Sequence, residues 1–166
     1  MIAAVILARD SRPNPSLMEM VDVLHQVCID RVVIVVNSEK NKTALEWFGG
    51  NIVVDDEKQE AALLASIVKG FDATEKDDLH GIIVCDSRYP NISRAMIVNL
   101  LQGFWKSQKN IILPNMNGLR CESPVILENS VVERLKIEIP PGGMNTLFIR
   151  YPDEVGEVFI TAEEKP

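Results

Sequence analysis

Ile2-Ala3-Ala4-Val5-Ile6-Leu7 is an unbroken apolar run rich in β-branched residues, and such a run reads as a strand buried on both faces. A sheet is covered on both faces where helices cross over between parallel strands. The next segment, Ala8-Arg9-Asp10-Ser11-Arg12-Pro13-Asn14-Pro15, carries two prolines and turn-forming residues, which exclude regular structure. Beyond it Leu17, Met20, Val21, Leu24 and Val27 recur at helical spacing. Ser16 is predicted to cap that helix, with Glu19 three residues on completing a capping box.

The same alternation runs along the chain. Strands are predicted over 31–36, 51–54, 81–85, 110–113 and 124–127, and helices over 38–48, 57–71, 93–107 and 129–136. Pro140-Pro141-Gly142-Gly143 is a loop before a short helix over 144–150, and 157–160 reads as an edge strand. Repeated β-α-β order with short connections predicts one domain over 1–166, a three-layer α/β/α sandwich on a mostly parallel, Rossmann-like sheet. Ligands of such sheets bind outside the carboxyl ends of the strands, which directs attention to the loops after Leu7, Cys85 and Leu113.

With 166 residues, 46% hydrophobic and 25% charged, the composition is that of an ordinary globular domain. No stretch approaches the ~20 apolar residues of a membrane span. No basic region precedes the opening run and Arg9-Asp10 ends it, so no signal peptide is expected. Cys28, Cys85 and Cys121 are far apart and form no CxxC pair. The expectation is therefore a reducing, cytoplasmic setting with neither a disulfide framework nor a zinc site. A net charge of −7 argues against nucleic acid, whose phosphates must be neutralised by Lys and Arg. Aromatic residues at 5% are too sparse for a base-stacking platform. A small molecule or another protein is the expected partner, and a small anion remains open to local backbone N–H groups.

Two places could carry chemistry. The loop 8–15 lies where a phosphate cradle would, yet it contains no glycine and no lysine. Arg9, Arg12, Ser11 and the helix start near Ser16 are what it offers to an anion; the alternative is an ordinary βα loop with solvated arginines. Asp86 directly follows Ile82-Ile83-Val84-Cys85, so a strand delivers its carboxylate to the sheet edge. There it suits Mg²⁺ held together with substrate phosphates, or else an Asx turn. His25 and His80 read as structural, with His80 at the opposite, amino-terminal edge. Asp55-Asp56-Glu57 and Asp77-Asp78 read as solvated faces or helix N-terminal charges. Cys85 reads as a core residue.

Ala4–Ala8 with Ser11-Arg12, Ser66-Ile67-Val68-Lys69-Gly70-Phe71, Val84-Cys85-Asp86-Ser87-Arg88-Tyr89-Pro90, 118–127 and 142–152 occur in the order of five segments of one family. Together they resemble the molybdenum cofactor cytidylyltransferases and guanylyltransferases, from Met1 to about Val158. The resemblance implies a nucleotide-diphospho-sugar transferase-like fold and Mg²⁺-dependent transfer of a nucleotidyl group from CTP or GTP to molybdopterin. It assigns Asp86 to the metal and to catalysis, and Ala8, Ser11, Arg12 and Ser66 to the nucleotide, with Arg12 at the triphosphate and Ser66 near the base. The chain departs from the family at several of these places. Asn14-Pro15-Ser16-Leu17 stands where a lysine should follow the loop, Cys85 replaces a glycine, and Glu122-Ser123 replace glycine and histidine. Residues 159–164 lack the aspartate of the family's second metal segment, leaving Glu122 or Glu163 as substitutes. These departures predict weak or absent turnover. They keep open a non-catalytic nucleotide- or cofactor-binding subunit, one that forms a homo-oligomer or serves as a scaffold in molybdoenzyme maturation. Sugar-nucleotide or polyol-phosphate chemistry is a third reading, since related transferases share the opening motif.

Overall fold

In the computed structural model, which describes residues 1–8, 15–55 and 63–161, the opening run forms strand β1 (Ile2–Ala8), buried along its whole length. β1 lies between β2 (Val32–Val36) and β4 (Gly81–Asp86), parallel to both, with Val5 opposite Val33 on one side and Val84 on the other. β3 (Asn51–Val54) extends the parallel set beyond β2. On the other flank β7 (Val125–Glu128) runs antiparallel between β4 and β5 (Ile111–Met116). β8 (Val155–Ile160) lies parallel beside β5, and the two-residue β6 (Leu119–Arg120) folds back on the end of β5. The path is therefore β3-β2-β1-β4-β7-β5-β6, with β8 paired to β5.

Side-chain alternation along β1 separates the two faces. Ala4 and Ile6 pack with Leu17, Met20 and Leu24 of α1 (Pro15–Gln26) and with Ile97 and Leu100 of α4 (Arg94–Ser107). Ala3, Val5 and Leu7 face α3 (Leu63–Asp72), α5 (Asn129–Ile137) and α6 (Met144–Arg150), through Leu64, Ile67, Phe71, Leu135 and Phe148. The α/β/α expectation holds, and the sheet is mostly parallel. No helix among the described residues is long and apolar enough to cross a membrane.

Several local expectations are corrected. Ser16 is not the helix cap: α1 begins at Pro15, whose fixed φ and missing N–H suit the first helical position. The helix expected over 38–48 breaks. Ser38 caps α2 (Glu39–Ala44) by accepting the Asn41 N–H at 3.2 Å, and a 3₁₀ turn follows over Glu46–Phe48. None of α2 is buried while Leu45 is fully so, so the break turns that one apolar residue into the core. The first part of the helix expected over 57–71 lies outside the described residues. β5 runs on to Met116 through Pro114, which falls between the residues paired with β7 and those paired with β6. A residue without an N–H is tolerated in such a gap.

The β8 flank is held by an ion pair. Arg134 of α5 donates from Nη1 to Glu154 Oε2 at 2.8 Å and from Nη2 to Oε1 at 2.6 Å, and Asn110 Nδ2 donates to Oε1 at 2.7 Å. The Arg134 hydrogen bonds hold the Glu154 carboxyl below its ordinary value of 4.5. A depressed carboxyl stabilises the fold above that value, and the contribution is lost as pH falls through the folded value. Wild type is therefore expected to lose unfolding midpoint as pH drops below about 4.5, and Arg134→Gln to lose less over the same range. Thermal melts at stepped pH test this, and parallel curves for the two proteins would refute it.

Candidate functional site at the carboxyl edge

Because β1 to β5 share one direction, with only β7 running against them between β4 and β5, their carboxyl ends meet at one edge. Ala8 ends β1 opposite Val36 of β2, and Leu7 lies opposite Asp86 of β4. Asp55 follows β3 and donates its backbone N–H to Val36 O at 2.7 Å. Ala8, Asp55 and Asp86 thus stand along one rim. The loop carrying Arg9, Ser11 and Arg12 leaves from Ala8, and these three residues lie outside the described residues.

Asp86 is 8% exposed, carried to the rim by a strand buried at every position. Its backbone N–H donates to Ser123 Oγ at 2.9 Å, which joins the turn after β4 to the segment before β7. Two stretches singled out for their family resemblance therefore meet here. The carboxylate closes an Asx turn, with Oδ1 accepting the Arg88 backbone N–H at 3.0 Å. The Arg88 guanidinium covers the rest: Nε lies 3.2 Å from Oδ1 and 3.1 Å from Oδ2, and Nη2 lies 2.7 Å from Oδ2. Three N–H groups of Arg88 thus meet the carboxylate, the Nε–H being shared between its two oxygens. Among the described residues no group of three or more His, Cys, Asp or Glu is placed to hold a metal ion. Glu122 is exposed, and Glu163 lies outside the described residues. As folded, the donor set at Asp86 does not fit Mg²⁺.

Ser66, on α3, is fully buried and donates its hydroxyl to Asp55 Oδ2. Lys69, one turn further, places Nζ 3.4 Å from Oδ1. Asp55 is 0% exposed, which corrects its reading as part of a solvated acidic face. β3 carries it beneath α3, where a hydroxyl and an ammonium compensate a charge that would otherwise be costly to bury. Sequence reasoning missed Asp55 as a site-building residue, although its place directly after an apolar strand is the feature that singled out Asp86. Arg88 and Ser123 were likewise not foreseen as partners of Asp86.

The remaining candidates stay structural. Burial, with a smaller contribution from Asp86, pushes the Cys85 thiol up to about 12, so it remains protonated and is no nucleophile. His25 is exposed on α1. His80 sits at the amino-terminal edge as expected, with Nδ1 2.6 Å from the Met1 amine and its ring edge-on to Trp105.

A family model described as the MobA-like NTP transferase domain matches residues 7–155. The fold is similar to that of Rv0371c from Mycobacterium tuberculosis H37Rv, with TM-score 0.76 and 17% identity over 97% of this chain and 88% of that one. A further structure of Rv0371c is a complex with manganese. CMP:2-keto-3-deoxy-manno-octonic acid synthetase complexed with CTP matches at TM-score 0.75 and 12% identity, over 97% of this chain and 90% of that one. The 4-diphosphocytidyl-2C-methyl-D-erythritol synthase of Anaerococcus prevotii matches at 0.70 and 15%, over 100% and 91%. No curated protein sequence matches the chain significantly.

Proposed function

We propose a function from this premise: the chain belongs to the MobA-like NTP transferase domain family. Its domain is that of a nucleotidyltransferase, and the finer reading is a CTP- or GTP-binding protein that transfers the nucleotidyl group slowly or not at all. The phosphates would lie against the loop leaving Ala8, where Ser11 and Arg12 supply a hydroxyl and a cation. The base would lie toward the α3 end of the rim, where Ser66 acts by fixing Asp55 rather than by touching the ligand itself. The acceptor in this reading is molybdopterin or a similar phosphorylated small molecule.

The observation that carries the reading is convergence. Ala8, the Asp55–Ser66 pair, Asp86 and Ser123 come from five separate parts of the chain and stand at the carboxyl edge, where sheets of this type bind ligands. The electrostatics argue for binding more than for turnover. Nucleotidyl transfer depends on positioning and on charge placed against phosphate oxygens, and the loop 8–15 supplies no lysine and no glycine. Mg²⁺ at Asp86 would have to displace Arg88.

Titration of the protein with CTP and with GTP by calorimetry tests the reading. Saturable binding of one of them, weakened at least several-fold by Arg12→Ala, is the expected result. No binding of either, with or without Mg²⁺, would discard the nucleotide site. It would favour the second reading, a scaffold in molybdoenzyme maturation, which the occupied Asp86 carboxylate and the lysine-free loop support.

A further inference from the structure

We propose that Arg88 is the resident cation of this rim: its guanidinium takes the place on Asp86 that a divalent ion would need, so the site works with protein charge and without metal. The metal part of this inference stands on the geometry alone, and its extension to phosphate rests on the nucleotide reading above.

Tyr89 N–H closes on Asp86 O at 2.9 Å and Ser87 N–H on Leu7 O at 3.0 Å, so the backbone from 86 to 89 is pinned to β1. A side chain two residues after Asp86 in a turn of this kind begins its course beside the carboxylate, and Arg88 follows that course. Its planar fork matches a carboxylate edge in a way a lysine's point charge does not. The pair is also layered. The side chain of Asp86 is 11% exposed and that of Arg88 is 51% exposed. The guanidinium therefore stands between the carboxylate and solvent, the side from which an ion or a phosphate arrives.

A divalent ion meets two obstacles there. Mg²⁺ requires near-octahedral oxygen ligands at ~2.0–2.1 Å, and both Asp86 oxygens already accept from Arg88, Oδ1 from the backbone N–H, Oδ2 from Nη2 and both from a shared Nε–H. An ion bound to either oxygen would also sit within a few ångströms of a permanent positive charge, at a partly buried position where such repulsion is poorly screened. A phosphate is drawn to the guanidinium rather than repelled by it, with the paired Asp86 carboxylate offsetting part of that attraction. Arg is the side chain suited to planar recognition of carboxylate and phosphate oxygens, and the Asp86 carboxylate holds this one in position. Asp86 is thereby a positioning residue for Arg88 rather than a metal ligand.

Two measurements test this. In the first, Mn²⁺, a spectroscopic stand-in for Mg²⁺, is titrated without nucleotide by electron paramagnetic resonance into wild type, Arg88→Gln and the double variant Arg88→Gln/Asp86→Asn. Removing the guanidinium is expected to tighten Mn²⁺ binding by roughly tenfold or more, and the added Asp86→Asn change to reverse that gain. Equal Mn²⁺ affinity in wild type and Arg88→Gln would overturn the proposal. The second needs no variant: CTP and GTP are titrated into wild type in EDTA and again in Mg²⁺. Equal affinity in the two is expected, and binding that appears only with Mg²⁺ would overturn the proposal. Should neither nucleotide bind in any condition, the nucleotide reading fails, while the Mn²⁺ comparison still decides the role of Arg88.

Discussion

Gly81→Val is expected to lower the unfolding midpoint by about 10 °C, corresponding to about 3 kcal/mol in a domain of this size. Gly81 opens β4 and pairs with Ile2 of β1 and with Glu128 of β7. A Cβ on Gly81 would stand 2.5 Å from Leu127 O and 3.2 Å from Glu128 Cα. Both atoms are backbone, held in the middle of the sheet, and neither moves without breaking the β4–β7 ladder. Gly70 offers an instructive contrast. Its Cβ would stand 2.4 Å from Val5 Cγ1, a side-chain atom that Val5→Ala removes. Gly70→Ala is therefore expected to be partly rescued by Val5→Ala, whereas no side-chain change should rescue Gly81→Val. Thermal denaturation followed by circular dichroism reads both, and a Gly81→Val midpoint within about 2 °C of wild type would show that β7 shifts without cost.

β4 also shows what could be read in the sequence and what could not. Ile82-Ile83-Val84-Cys85 announces a buried strand, and the strands over 51–54 and the helix over 144–150 fall where they were expected. Direction is another matter. Pro124-Val125-Ile126-Leu127 is apolar enough for a buried strand, but a fully apolar run has the same pattern whichever way it points, so nothing in it reveals that β7 is antiparallel. The candidate rim position was legible where one residue follows one strand, as with Asp86. It was not legible where a residue's meaning depends on a distant partner. Asp55 sits in a three-acid run that suggests solvent, and the arrival of Ser66 and Lys69 from α3 helps to compensate its burial. Arg88 was visible as a basic residue in a turn, yet its effect is to use the oxygens on which the metal expectation depended. The resemblance pointed to residues of this rim, and their local hydrogen bonding was not legible in it.

Those bonds bear most heavily on turnover. Transfer of a nucleotidyl group from CTP or GTP to molybdopterin is expected to be undetectable, or at least ~10²-fold slower than for a relative with an intact loop and a free metal carboxylate. Removing one contact that stabilises charge in a transition state typically costs ~10²–10³ in rate, and this chain departs at more than one such contact. No lysine follows Arg12 and no glycine lies between Ala8 and Pro15, so neither an ammonium nor a bare backbone cradle meets the phosphates. Arg9 or Arg12 can supply charge, but a planar guanidinium does not reproduce the compact ammonium. The start of α1 can face an anion, although Pro15 removes one N–H from its first turn. Asp86, the carboxylate that would steady a metal against the leaving diphosphate, is committed to Arg88. Losses of this kind do not add simply, so the lower bound taken here is that of a single contact. An assay with radiolabelled CTP and GTP and with molybdopterin as acceptor reads the outcome. Robust Mg²⁺-dependent product that disappears in Asp86→Ala would show that Arg88 yields its place to the ion during turnover, and that the lysine-free loop suffices for chemistry. Product that forms equally well in EDTA would instead place the catalytic charge on the arginines.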